Sequence, residues 1–317
     1  MARRQLDVRV TAKWHLAPDV VGLRLMPGPG EGHLRRLPGQ YLDVLLEDGR
    51  RRPFSIASGP QADAAIEWHA RHVAGGGFTS LVDTTLRVDD KLRIEGPLGT
   101  FVPREDSERP MLSVAGGTGI APIKAIVEHF IALGTQRPME LYRGGRSAAD
   151  LYLLELARQW VRDVPKLRLQ AVVSDPESGV SLRRGLVHEA VLEDFPDLSA
   201  HDVYMSGPPA LVDAGRQLFI DAGAPESNVY FDTFDYAPDV LAQMIAGRAR
   251  FTHWRVDGGD HQSWSALPRR CRRPAPADAL PTRHVRRCFA TSVTCCPLPP
   301  AVAPHAMPGC RQPACGP

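Results

Sequence analysis

Two glycine-rich turns and one short cationic strand carry the residue types that bind phosphorylated ligands. Residues 111–115 (Met-Leu-Ser-Val-Ala) are mostly apolar and read as a buried strand. Gly116, Gly117 and Gly119 then open a turn, and residues 120–133 carry apolar side chains at helical spacing up to Gly134. A strand, a glycine turn and a helix together offer an anion free backbone N–H groups and the positive end of a helix dipole. Gly117 and Gly119 let a diphosphate approach the backbone where a Cβ would obstruct it. Pro122 falls in the first helical turn, where a missing N–H costs little. A tight βα turn in an unrelated α/β protein has the same appearance.

The strand Arg51-Arg52-Pro53-Phe54-Ser55 places a guanidinium, an aromatic ring and a hydroxyl together. Phe54 suits stacking on a planar ring system, Arg52 a phosphate and Ser55 a ring nitrogen. Alternation along a strand puts Arg52 and Phe54 on one face and Ser55 on the other, so one shared ligand requires a local bend. The alternative is an ordinary barrel strand with Phe54 in the core. Gly75-Gly76-Gly77-Phe78-Thr79-Ser80 is the second glycine turn, with Thr79 or Ser80 as helix N-cap beside a phosphate, or as an ordinary cap after a loop.

These turns need scaffolding, and the scaffold changes along the chain. Up to about residue 106, short strands with turn signals between them recur at barrel spacing, including residues 6–12, 20–25, 41–46, 52–58 and 65–73. Residues 107–236 instead alternate strands with helices: strands near 111–115, 139–143, 167–174, 202–207 and 229–234, helices near 120–133, 150–160, 185–192 and 210–222. Repeated βα units predict a parallel sheet with ligands at the carboxyl ends of its strands. The turns at Gly116, at Gly144 and at Ser206-Gly207-Pro208-Pro209 all fall at such ends and converge on one crevice, as a dinucleotide site requires.

Residues 237–317 read as a mostly disordered tail. From Pro268 on there are eleven prolines, eight arginines and one acid among 50 residues, leaving 30 basic and 35 acidic residues in the rest. The body is therefore mildly acidic and carries no nucleic-acid footprint. The tail reads either as a basic arm for an acidic partner or nucleic acid, or as plain disorder in an out-of-frame or aberrant extension. All six cysteines lie between Cys271 and Cys315, in spacings that match neither a plant-type two-iron cluster nor a zinc site, so no metal is expected. A cysteine-free body without an apolar leader or a membrane-length apolar stretch reads as cytoplasmic and not membrane-bound.

In order, Pro38-Gly39-Gln40-Tyr41, Arg52-Pro53-Phe54-Ser55, Gly75-Gly76-Gly77-Phe78-Thr79, Gly96-Pro97-Leu98-Gly99-Thr100-Phe101, Ala115-Gly116-Gly117-Thr118-Gly119-Ile120-Ala121-Pro122, Tyr142-Arg143-Gly144-Gly145-Arg146, Ser206-Gly207-Pro208-Pro209 and Phe231-Asp232-Thr233-Phe234 resemble the ferredoxin–NADP reductase superfamily. Within it the likeness is to NAD(P)H–flavin reductases and to the reductase parts of oxygenase and deoxysugar systems, the CDP-6-deoxy-glucoseen reductases among them. No cysteine cluster precedes the barrel, which reads as no fused ferredoxin domain. Each motif is weak alone; eight in this order are specific, and they cover about residues 5–236.

The resemblance implies an antiparallel FAD-binding β-barrel followed by a Rossmann-like NAD(P)-binding domain. It implies FAD, or FMN or riboflavin as substrate, together with NADH or NADPH. Arg52 would hold the flavin phosphate or ribityl chain, Phe54 would flank the isoalloxazine and Ser55 would hydrogen-bond near its N5. Gly77, Phe78 and Thr79 would make a second phosphate contact. Gly116, Gly117, Thr118 and Gly119 would cradle the dinucleotide, with Thr118 near the nicotinamide. Pro53, His69, Gly207, Pro208 and Phe234 complete the implied cofactor-binding set. Arg146 and Tyr152 would reach the adenosine end, and Arg143 and Arg146 would either meet a 2′-phosphate or simply line the adenosine site. Ser55, Thr118 and Ser206 are the implied catalytic residues, Ser206 standing where relatives often have cysteine. Catalysis is then positional, with the nicotinamide hydride about 3–3.5 Å from its acceptor. Electrons would pass to free flavin or to a separate acceptor protein, an iron–sulfur, oxygenase or deoxysugar-reductase partner. The other reading is a catalytically weak dinucleotide-binding module whose basic tail recruits a partner.

Overall fold

Alternating apolar and polar residues in the first hundred positions build an antiparallel sheet. The computed structural model describes residues 3–61, 64–72, 77–175 and 182–234. Its first six strands are β1 (Arg4–Ala17), β2 (Val20–Pro27), β3 (Tyr41–Leu45), β4 (Arg51–Ser55), β5 (Ile66–Arg71) and β6 (Lys91–Leu98), in the order β4-β3-β6-β1-β2-β5. A bridge between Ile56 and Trp68, with the Ala57 N–H donating to Glu67 O at 2.7 Å, joins the two edge strands and closes the sheet into a barrel. Closure removes the exposed edges that an open sheet would present. Along β1, Leu6, Val8 and Val10 point into the barrel core while Asp7 and Arg9 face water. Helix α1 (Gly77–Thr84) adds Phe78 and Val82 to that core.

A parallel sheet follows. Strands β7 (Met111–Gly116), β8 (Met139–Gly145), β9 (Leu167–Val173), β10 (Arg183–Arg184), β11 (Asp202–Gly207) and β12 (Val229–Thr233) lie in the order β10-β9-β8-β7-β11-β12. Helices α2 (Ile120–Ala132) and α3 (Leu154–Asp163) pack in one apolar layer. The other layer is built by α4 (Val187–Asp194) and α5 (Pro209–Asp221). The chain runs outward from β7 through β10 and returns to β11 on the other side of β7, so strand order reverses there. That reversal opens a crevice above the carboxyl ends of β7 and β11. Val20 and Phe101 are buried in the same apolar layer as α2, with Leu16 and Ala17 packed against it, so barrel residues share a core with the parallel sheet.

Several expected elements shift. The glycine turn is a short 3-10 segment, Gly117–Gly119, between β7 and α2. The helix expected from residue 150 starts at Leu154, after a 3-10 turn over Ala148–Asp150 and a left-handed Leu153 (φ 63°). The first turn of α1 begins at Gly77, so Thr79 and Ser80 lie inside the helix and neither is its N-cap. The two-residue β10 was not foreseen, because two residues carry no period. Gly75, Gly76 and the tail from residue 237 lie outside the described residues.

Candidate active site

The glycine turn is shaped by three separate demands. A Cβ on Gly116 would fall 2.6 Å from the Leu211 side chain, and one on Gly119 would fall 2.0 Å from the carbonyl oxygen of Ser206. These two glycines let β7 and α2 press against β11 and α5. Gly119 is thus required by packing, a demand separate from the close approach of a ligand for which the sequence singles it out. Gly117 has φ +52° and no atom closer than 3.8 Å to a Cβ built on it, so its need is conformational, and its neighbour there is the Arg71 guanidinium.

The turn is braced from beneath by Arg143, which is 0 % exposed. Its Nη1 donates to Ala115 O at 3.1 Å and Gly117 O at 3.4 Å, and its Nη2 to Tyr152 O at 3.1 Å. Burial pushes its guanidinium down to about 10. Arg143 is therefore a strut and is not placed to meet a 2′-phosphate. Tyr152 is also buried, its hydroxyl 3.2 Å from His69 Nδ1, and is turned into the protein instead of toward an adenosine. Arg146 is exposed and lies away from the cavity described below, its backbone N–H donating to Asp150 Oδ2 at 3.1 Å.

Facing the turn across the crevice are residues of the barrel. A cavity of about 530 Å³ has Tyr41, Pro53, Phe54, Ser55, His69, Arg71 and Thr79 on one side and Gly116, Gly117, Thr118, Ala121 and Pro208 on the other, with Asp232, Thr233 and Phe234 closing it. The strand that carries Phe54 does bring Ser55 to the same space, as one shared ligand requires. Phe54 leans on Trp68 (ring centroids 4.7 Å apart) and Phe78 (5.7 Å), which fixes its plane. Phe78 itself is core. Arg52 is buried beside the strand, its Nη1 donating to Arg51 O at 2.9 Å, and does not line the cavity. Ser206 is wholly buried behind the turn with its Oγ unpaired, and Gly207 backs onto Gly116.

Four polar side chains, Ser55, Asp232, His69 and Arg71, give the cavity its character. Ser55 Oγ donates to Asp232 Oδ2 at 3.2 Å. Burial pushes the Asp232 carboxyl up to about 6, only partly offset by that hydrogen bond. His69 Nε2 donates to Glu67 Oε1 at 2.9 Å, which leaves Nδ1 to accept from the Tyr152 hydroxyl. Burial, more than the opposing bond to Glu67, holds His69 below its usual range and so in this neutral form. Arg71 reaches from β5 to the glycine turn, its Nη1 donating to Asp150 Oδ1 at 3.3 Å while its buried Nη2 has no protein partner. Asp232 and Arg71 were missed as site residues, although both lie inside stretches singled out from the sequence.

An orphaned guanidinium nitrogen beside a conformationally special glycine fits an anionic diphosphate, and the ring-lined opposite wall fits a planar heterocycle. The comparisons with known proteins agree. Residues 7–102 match the oxidoreductase FAD-binding domain and residues 113–217 the oxidoreductase NAD-binding domain. The reductase component 1 of terephthalate 1,2-dioxygenase from Comamonas sp is 34% identical over 238 residues, 75% of this chain and 70% of that protein. The chain belongs to the ferredoxin–NADP reductase superfamily. Another superfamily relative, the CDP-6-deoxy-L-threo-D-glycero-4-hexulose-3-dehydrase reductase of Yersinia pestis, is 39% identical over 215 residues, 68% of this chain. The chain spans 64% of that relative's length. Among solved structures of the superfamily, an Amycolatopsis cytochrome P450 reductase superposes with TM-score 0.68 at 31% identity, covering 73% of this chain and 70% of that one. The chain thus carries the two cofactor modules of the superfamily, one for FAD and one for NAD(P)H. Among the described residues no helix is long and apolar enough to cross a membrane.

Proposed function

We propose that this chain is a flavin-dependent NAD(P)H oxidoreductase that hands electrons to a separate acceptor protein. One observation carries the reading: a single cavity takes one wall from the FAD-matched barrel and the other from the NAD-matched glycine turn. A flavin held against Phe54 and Ser55 would supply the hydride-accepting and electron-carrying chemistry, which no side chain here supplies. The chain's part is to bind and orient. Phe54 offers its ring face, Thr79 and the neighbouring start of α1 take the flavin's polar chain, and Arg52 stiffens the strand that carries Phe54 and Ser55. Gly117, Thr118 and Arg71 take the dinucleotide's diphosphate. Phe234 and Pro208 screen the cavity from water.

Asp232 supplies the proton-holding group. Its carboxyl, pushed up to about 6 by burial, takes up a proton more readily than an ordinary carboxylate, while its Oδ2 accepts the hydrogen bond from Ser55 Oγ and so fixes the group against the cavity wall. The acceptor class follows the relatives, which are the reductase partners of a hexulose dehydrase and of a dioxygenase. The test is anaerobic mixing of the purified chain with FAD and NADH or NADPH while the visible flavin band is followed. Rapid bleaching that Ser55→Ala slows supports the reading. Flavin that binds but is bleached by neither nucleotide overturns it.

A further inference from the structure

Lys124 sits one helical turn beyond Ala121, a cavity residue, on helix α2, and is only 7 % exposed. A lysine so buried needs partners, and this one has three from different segments. Its Nζ donates to Ala57 O at 3.0 Å and to Glu128 Oε2 at 3.0 Å, and lies 3.4 Å from Glu67 Oε1. Ala57 follows β4 by two residues, and β4 carries Phe54 and Ser55. Glu67 lies on β5, which carries His69 and Arg71, and its carboxylate is the group that orients the His69 ring. Helix α2 begins immediately after Gly117, Thr118 and Gly119. One ammonium therefore bonds to the two barrel segments facing the cavity from one side and rides on the helix that faces it from the other.

We propose that Lys124 is a positioning residue that sets the separation and tilt of the two cavity walls, acting on His69 through Glu67 and on Phe54 and Ser55 through Ala57. This rests on the functional reading above, in which a dinucleotide must touch both walls. Nothing in the arrangement brings Lys124 to a ligand, since it lies behind the walls. Its geometry is what a spacer needs: charge-assisted bonds are short and directional, and the rigid helix start transmits any displacement to the glycine turn. A merely cohesive apolar contact would tolerate sliding. A hydrogen bond to Ala57 O and an ion pair with Glu67, from an ammonium steadied on its own helix by Glu128, do not.

The test compares four proteins, without FAD for the flavin titration and FAD-loaded for the nucleotide titration: the parent, Lys124→Met, the double variant Glu67→Gln, Glu128→Gln, and the triple variant Lys124→Met, Glu67→Gln, Glu128→Gln. The triple variant removes the carboxylates that the single one would leave buried without a cation, and so keeps the comparison sound if Lys124→Met fails to fold. Dissociation constants for FAD and for NAD+ are measured by calorimetry on the oxidised protein, which needs no turnover and is independent of whether NADH bleaches the flavin. The expected result is NAD+ binding at least fivefold weaker in Lys124→Met than in the parent, or in the triple variant than in the double variant, with FAD binding changed less than twofold in the same comparison. Where NADH does reduce the parent, the variant's kcat should fall with a larger deuterium isotope effect. NAD+ affinity within twofold in that comparison, or FAD and NAD+ weakened by the same factor, would overturn the proposal, the second outcome marking Lys124 as general glue.

Discussion

Ser55, in the barrel, donates a hydrogen bond to Asp232, near the end of the last described strand, across 177 residues of sequence. The pair joins the two halves of the cavity and contains a carboxyl pushed up to about 6, against an ordinary 3.8, chiefly by burial. A raised carboxyl means that the folded state holds a proton the unfolded state has released, over the window from about pH 4 to 6. Stability therefore falls as pH rises through that window and stays lowered above it. Asp232→Asn carries no charge and should escape the penalty. It should be more stable than the parent at pH 8 by roughly 1–3 kcal/mol, with the difference vanishing below pH 4. Urea unfolding at both pH values checks this, and the same variant should lose any inflection near pH 6 in flavin reduction.

Arg71→Gln tests the orphaned guanidinium nitrogen. Removing the charge beside Gly117 should raise the KM for the reduced dinucleotide about tenfold, ~1.4 kcal/mol, with little change in FAD affinity. Steady-state kinetics with an artificial acceptor and a flavin titration separate the two. Equal loss in both would place Arg71 at the flavin instead.

Arg143→Met should behave differently. It strands the carbonyls of Ala115, Gly117 and Tyr152 in the interior and loosens the turn. A cost of about 2–4 kcal/mol is expected in chemical unfolding, along with weaker dinucleotide binding. A variant of unchanged stability would mean that the strut is dispensable.

Gly117 and Gly119 are neighbours with opposite needs. Gly119→Ala would drive a methyl into the Ser206 carbonyl and should yield little folded protein. Gly117→Ala meets no obstruction and pays only for its left-handed backbone, about 1 kcal/mol, but its methyl points at Arg71. It should fold, bind FAD and lose dinucleotide affinity. Thermal melts of both variants, with a binding measurement on the survivor, decide the matter.

The elements legible in the sequence are those whose signal is local. β7 and α2 have their period and their bounding glycines within 25 residues, and Phe54, Ser55, Gly117 and Thr118 lie in short motifs that they help to define. Arg143 has in the sequence the look of a ligand-binding cation beside a glycine turn; its partners are carbonyls of another turn and of Tyr152, which no composition rule exposes. Helix α1 starts at Gly77, ahead of the hydroxyls of Thr79 and Ser80, and its second residue, Phe78, packs into the barrel core. Arg71 and Asp232 were overlooked for one reason. Their partners, Asp150 and Ser55, come from distant parts of the chain, and only the closed fold makes each pair.

Asp232, Thr233 and Phe234 complete a cavity whose other walls are formed by residues 41–121 and by Pro208. During synthesis, then, the barrel and the glycine turn leave the ribosome long before the pocket they share is finished. A nascent chain stalled before Val229 lacks the residues that close the third side of that cavity. Ribosome-bound chains of increasing length should gain high flavin affinity late and abruptly, once β12 has cleared the exit tunnel, instead of when the barrel alone has folded.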